Sequence, residues 1–285
     1  MSNKPAFVLV HGGLHGAWTW NDLTSLLAEV GFPSLAFDLP GAGSLTQFPS
    51  SFLKRPLDID AFAKEVSPIS GVTQDERTDA AVTAVNQAAN LGNGKVILVG
   101  HSWGGLTISH VAEAIPEKLQ SLVYLTALLI PNGLSGGAIF EHPSFDNSEV
   151  LPLFIGDSAE HGAVMRLDPR SEDPEYIRKL KDGFYHDVPQ ERVAAIANLL
   201  HCDEPADTAT ALIEITAEKF GRIERHYIRM ADDRVLPPEA QDYMIERIDT
   251  SGIGGTTKVH NLSGGHSPMF ANPRTLRDVL VKIAG

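Results

Sequence analysis

The chain has 285 residues, with 23 Lys+Arg against 36 Asp+Glu and a net charge of -13 at pH 7, so neither nucleic acid nor an anionic membrane surface is an expected partner. Its 43% hydrophobic and 21% charged residues suit a chain that buries a large core, which excludes disorder. The longest mainly apolar run, Leu122 to Ile130, is too short to span a bilayer. The single cysteine, Cys202, cannot form an internal disulfide, and no Cys/His cluster has zinc spacing. The expectation is a cytoplasmic protein with no signal peptide, metal or cofactor.

The length suggests one large domain carrying an insertion, and the order of elements agrees. Phe7 to Val10 reads as a buried strand. Trp20 to Val30 has helical spacing and stops at Gly31, and Ser34 to Phe37 is a second strand. Asp75 to Leu91 is Ala-rich without internal Gly or Pro and reads as helix; Lys95 to Val99 is a third strand, aliphatic after its lysine as a strand covered on both faces requires. A helix over Leu106 to Ile115 and a strand centred on Leu122 to Leu125 follow. The alternation gives an α/β fold with parallel strands.

Between Pro131 and Leu212 the rhythm breaks into Gly and Pro clusters with helical patches at Glu175 to Lys181 and Gln190 to Leu200. We read 131–212 as a cap inserted into a core of 1–130 and 213–285, because some eighty structureless residues do not fit a compact domain. Alternation then resumes: strand His226 to Arg229, helix Pro238 to Ile248, strand Lys258 to Leu262, helix Pro273 to Ile283.

Gly-x-Ser-x-Gly occurs twice, around Ser102 and around Ser135. Only the first has a buried strand leading in and a helix leading out, the strand-turn-helix that projects a serine from a strained turn. The second follows Pro131-Asn132 with no clear helix after it and reads as a flexible entry to the cap. A serine needs a base to take its proton. Of eleven histidines, His266 stands in Gly264-Gly265-His266-Ser267-Pro268, a loop between the last strand and the last helix. His260 lies in a strand and His110 in a helix, so both read as packed or surface residues; His101 should point elsewhere on the serine's turn. The acid is expected after the strand ending at Arg229, where Asp233 is the choice and Asp232 the fallback. The position after Leu125 holds Thr126 and Ala127, no acid. An oxyanion hole needs two N–H groups: Trp103, after the serine, and Gly13, in His11-Gly12-Gly13 after the first strand, fit that need.

The runs Phe7 to Trp20 and Lys95 to Gly105 resemble the plant methylesterase and hydroxynitrile lyase branch of the α/β-hydrolases, over nearly the whole core and more weakly in the cap. The resemblance implies a mainly parallel six-stranded sheet, a triad of Ser102, Asp233 and His266, and an oxyanion hole of Gly13 and Trp103. Lyases of this type carry a threonine after the first histidine and a lysine after the catalytic one, whereas this chain has Gly12 and Ser267 and so is similar to the esterase members. In the cap, Phe140, Phe145, Phe154, Phe184 and Tyr185 are candidates to line an acyl or alcohol pocket, with His186 or His201 as polar contacts, and His15 could face the same site. The expected activity is hydrolysis of a small hydrophobic ester, a methyl ester among the candidates, through an acyl-enzyme. The alternatives are a cofactor-free oxygenase or lyase using the His266 and Asp233 pair, and a small-ligand receptor. Ser102 in place of a carboxylate excludes dehalogenase and epoxide hydrolase chemistry.

Overall fold

Alternating apolar strands and amphipathic helices organise residues 3–285, which the computed structural model describes. Strand β1 (Ala6–Val10) leads through a single helical turn into α1 (Asn21–Glu29), β2 (Ser34–Ala36), α2 (Ile59–Lys64) and α3 (Gln74–Ala89). Helix α3 starts where the sequence expects it because Thr73 and Glu76 form a reciprocal capping box. Strand β3 (Val96–Ser102), helix α4 (Gly104–Ala114) and strand β4 (Leu119–Ala127) follow. After a long excursion, β7 (Glu224–Met230), α10 (Pro238–Asp249), β8 (Lys258–Leu262), α11 (Pro268–Ala271) and α12 (Pro273–Ala284) close the chain.

The six core strands form one sheet in the order β2-β1-β3-β4-β7-β8, and every neighbouring pair is parallel. This is the expected architecture. β1 is buried along its whole length and β3 up to His101, as strands with helices on both faces must be; α1 packs on α12, and α3 on α4. β3 runs further than its aliphatic residues predict. Gly100, His101 and Ser102 still pair with Tyr124, Leu125 and Ala127, with a register shift between His101 and Ser102. The strand therefore carries the serine on its carboxyl end, outside which ligands of open α/β sheets bind.

The excursion between β4 and β7 contains α5 (Gly136–Ile139), α6 (Ser158–His161), β5 (Ala163–Arg166), α7 (Pro174–Tyr185), α8 (Gln190–Ala197), β6 (Asp203–Pro205) and α9 (Asp207–Thr210). The antiparallel pair β5-β6 is not visible in the local periodicity. It is joined by Arg166, whose guanidinium binds both carboxylate oxygens of Asp203 at 2.7 Å and the backbone carbonyls of Phe62 and Glu65. A second fully buried ion pair, Arg77 with Glu204, fastens β6 to α3, and the other oxygen of Glu204 accepts from the Leu14 amide at 3.0 Å. Breaking either pair would strand a buried charge, which typically costs about 3–5 kcal/mol. Ser135, at the second Gly-x-Ser-x-Gly, is not a flexible entry: its side chain caps α5 by accepting from the Ala138 amide, and its backbone bridges to Leu212. Among the described residues no helix is long and apolar enough to cross a membrane.

Candidate active site

The turn between β3 and α4 is built by close approach. A Cβ on Gly104 would stand 2.6 Å from the His11 carbonyl oxygen, so glycine lets α4 begin against the loop after β1. Between them Ser102 takes φ +51°, a left-handed conformation that costs a non-glycine residue about 1–3 kcal/mol and persists because both flanking elements are fixed. Its carbonyl accepts from the Leu128 amide at 3.0 Å.

The loop after β7 places Asp233 beneath the loop after β8. One carboxylate oxygen of Asp233 accepts from the amides of Val235 and Leu236 at 2.7 and 2.9 Å. The other accepts from His266 Nδ1 at 2.7 Å and from the Thr126 hydroxyl. Asp233 and His266 are both buried, and the contact to a carboxylate makes Nδ1 the protonated nitrogen. The remaining nitrogen, Nε2, is buried with no hydrogen-bond partner among the described residues, so its lone pair is available to take a proton. Asp232 acts elsewhere, accepting from the Gly264 amide at 2.9 Å, while Asp187 accepts from the Gly265 amide at 2.8 Å. These two carboxylates brace the loop that carries His266.

His101 reaches beneath this loop. Its Nε2 donates to the His266 carbonyl at 2.9 Å, and the two rings lie 4.7 Å apart. Burial, with His266 and His15 nearby, holds the His101 pKa well below the ordinary histidine value, which keeps the ring beside His266 uncharged. Two further histidines support the loop after β1 in neutral form. His11 Nδ1 donates to the Gly12 carbonyl at 2.8 Å while Nε2 accepts from the Leu39 amide at 3.1 Å; burial lowers its pKa to about 4. His15 Nδ1 donates to the Gly13 carbonyl and Nε2 accepts from the Tyr185 hydroxyl, both at 2.7 Å, and burial lowers its pKa to about 3. His260 and His226 bond to each other at 2.9 Å on the far strands, and His110 is half-buried on α4, so neither predicted bystander enters the site.

Ser102, Gly13 and Trp103 meet at a cavity of 30 Å³ whose walls include Phe140, Met165 and Phe184. Phe184, Phe140 and Phe154 line this space together. His15 and Tyr185, expected at the pocket with Phe184, do not line it: they stand one layer behind, where the Tyr185 ring packs 5.8 Å from that of Phe184. Phe145 packs edge-on against Phe140 in the core, and His201 bonds to the carbonyls of Asp203 and His15. Gly12 has no room for a side chain, since its Cβ would lie 2.9 Å from both His101 Nδ1 and Ser102 Cβ. The threonine that lyases of this type place there does not fit. Sequence reasoning missed Thr126 as the brace of Asp233; its signal is a polar residue set between Leu125 and Ala127 at the carboxyl end of β4.

The constellation is an acid, an imidazole and a serine carried by strand ends of one sheet. A model of the alpha/beta hydrolase family matches residues 7–279. The chain belongs to the alpha/beta hydrolase family. Among curated proteins this alpha/beta hydrolase is similar to methylesterase 17 of Arabidopsis thaliana, 30% identical over 98% of this chain and 91% of that one. It is also similar to methylesterase 1 of Arabidopsis thaliana, 26% identical over 99% of this chain and 96% of that one. Of two longer chloroplastic relatives from the same plant it spans 63% and 56% of the length. Among solved structures, a pyrethroid hydrolase from Sphingobium faniae JZ-2 superposes with a TM-score of 0.75 at 22% identity, over 98% of this chain and 97% of that one. Polyneuridine aldehyde esterase superposes with a TM-score of 0.72 at 24% identity, over 99% and 100%. At those identities the likeness speaks for the fold.

Proposed function

We propose that this alpha/beta hydrolase hydrolyses a small hydrophobic carboxylic ester, methyl esters included, through an acyl-enzyme. The observation that carries the reading is the state of His266: Nδ1 is committed to Asp233 at 2.7 Å and Nε2 is left without a partner among the described residues, the tautomer a general base requires. Ser102 Oγ attacks the ester carbonyl as its proton passes to Nε2. The backbone N–H groups of Gly13 and Trp103 receive the oxyanion, a contribution of about 10² to 10³ in rate per donor. His266 returns the proton to the departing alcohol, then activates a water that releases the acid. Asp233 keeps the imidazole oriented and stabilises its cation.

Residues 131–212 act in this reading as the cap, supported by their contribution of Phe140, Phe154, Met165 and Phe184 to the cavity over Ser102. A cytoplasmic location belongs to the same proposal, and cell fractionation tests it. The catalytic test is hydrolysis of a panel of methyl and p-nitrophenyl esters by the wild type and Ser102→Ala. The expected result is turnover that the substitution lowers by about 10⁴-fold or more. Turnover that survives in Ser102→Ala would point instead to base chemistry by His266 and Asp233, and tight ligand binding without turnover to a receptor.

A further inference from the structure

The cavity at Ser102, at 30 Å³, has room for little more than a water molecule. Directly outside it lie two much larger clefts, of 460 and 470 Å³. One residue lines all three: Phe154. Chain direction makes it a partition. Val150 and Leu151 face the inner cavity, Pro152 and Leu153 face the first outer cleft, and Phe154, ending a single helical turn at Leu151–Leu153, borders both sides. β5 divides space in the same way: Met165 turns inward while its neighbours Val164 and Arg166 line the second outer cleft. The wall between the inner cavity and the exterior is thus one segment thick. Phe154 is half-buried, and among the described residues no aromatic ring contact fixes its plane.

The first outer cleft is lined on the one hand by Leu57, Ile59, Leu153 and Tyr176 and on the other by Ser171, Glu172, Asp173 and the pair of Arg55 with Asp168 at 2.9 Å. Such a surface suits a hydrophobic group ending in a hydrogen-bonding atom. Resting on the esterase reading, we propose that Phe154 is the specificity-determining residue of this enzyme: its side chain swings aside so that one half of the ester stays small inside the Ser102 cavity while the other half, an aryl-alkyl or branched apolar group, lies in the outer cleft.

The test is the ratio of kcat/KM for methyl 4-phenylbutyrate to that for methyl butyrate, and of 4-phenylbutyl acetate to methyl acetate, in the wild type, Phe154→Ala and Phe154→Trp. The expected result is a rise of at least tenfold in one of the two ratios for Phe154→Ala and a fall of similar size in the same ratio for Phe154→Trp. Ratios that move less than twofold in both variants overturn the proposal, and the tryptophan variant still decides it should the alanine variant fold poorly. Failure of the esterase reading looks different, as wild-type turnover that is absent or insensitive to Ser102→Ala. In that case acrylamide quenching of tryptophan fluorescence decides the partition, because Trp103 lines the inner cavity. Greater quenching in Phe154→Ala than in the wild type upholds it, and equal quenching overturns it.

Discussion

Acid should destabilise this protein well before its carboxylates titrate. His11 and His15 are buried as neutral rings, each donating from Nδ1 to a backbone carbonyl and accepting at Nε2, so a second proton would remove an acceptor and bury a charge. Their pKa values fall from 6.5 to about 4 and about 3 as a result of burial. Because the unfolded chain then binds more protons than the folded one, their contribution is fully present above pH 6.5. It is lost as pH falls, down to about pH 4 for His11 and about pH 3 for His15. At pH 5 an unfolded histidine is nearly all charged while these two remain neutral, so each has cost about 2 kcal/mol relative to pH 8, and the pair about 4 kcal/mol. His101, lowered by the same burial, adds to the effect in the same direction. The carboxylates act lower: burial works against Glu65, yet hydrogen bonds from Ser51 and Ser50 hold it down to about 2 from 4.5, so its share is lost only below pH 4.5. Equilibrium urea unfolding at half-unit steps from pH 7.5 to 5.0 checks this. The stability should fall with a limiting slope of at least about 2.6 kcal/mol per pH unit, two protons' worth from His11 and His15 with His101 and His201 adding to it, and His15→Gln should reduce that slope by about 1.3 kcal/mol per pH unit. A stability that stays flat from pH 7 to 5 would refute the assignment of neutral buried histidines.

Two further outcomes follow from the site. Asp233→Asn keeps the amide contacts of Val235 and Leu236 in reach but favours the wrong imidazole tautomer, so kcat for a methyl ester should drop about 10⁴-fold with little change in the circular dichroism melt; a loss under tenfold would contradict the role given to Asp233. Gly12→Ala drives a methyl group into His101 and the Ser102 turn, and should cost about 1–3 kcal/mol of stability together with most of the activity, read by urea unfolding and ester hydrolysis side by side.

The core is legible in the sequence because its signals are local. Strands buried on both faces read as aliphatic runs, and glycines mark the turns that close backbone approach demands, so β1 falls within a residue of its predicted ends, as do the edge strand β8 and the helix α10. The choice of Ser102 over Ser135, of His266 among the histidines and of Asp233 over Asp232 comes from position relative to those strands, and the structure brings Asp233 and His266 into direct contact. What escapes depends on distant partners. β5 and β6 are four and three residues long and exist through the Arg166 and Asp203 pair, which no window along the sequence reveals. Thr126 reads in the sequence only as the absence of an acid, although its hydroxyl holds Asp233. Residue type alone points His15 and Tyr185 at the pocket, whereas their mutual hydrogen bond turns both inward.

The buried pairs that fasten β6 and β5 to the core also bear on how such an enzyme changes its substrate over evolutionary time. Glu204 neutralises Arg77 on α3 and at once holds the Leu14 amide beside the loop of Gly12 and Gly13. Replacing the whole excursion with a foreign one would leave that arginine uncompensated inside the core and slacken the very loop that faces the serine. Wholesale exchange of the excursion is therefore penalised, whereas single substitutions along the thin wall at Val150 to Phe154 leave both buried pairs in place. New specificities should accumulate there, one side chain at a time.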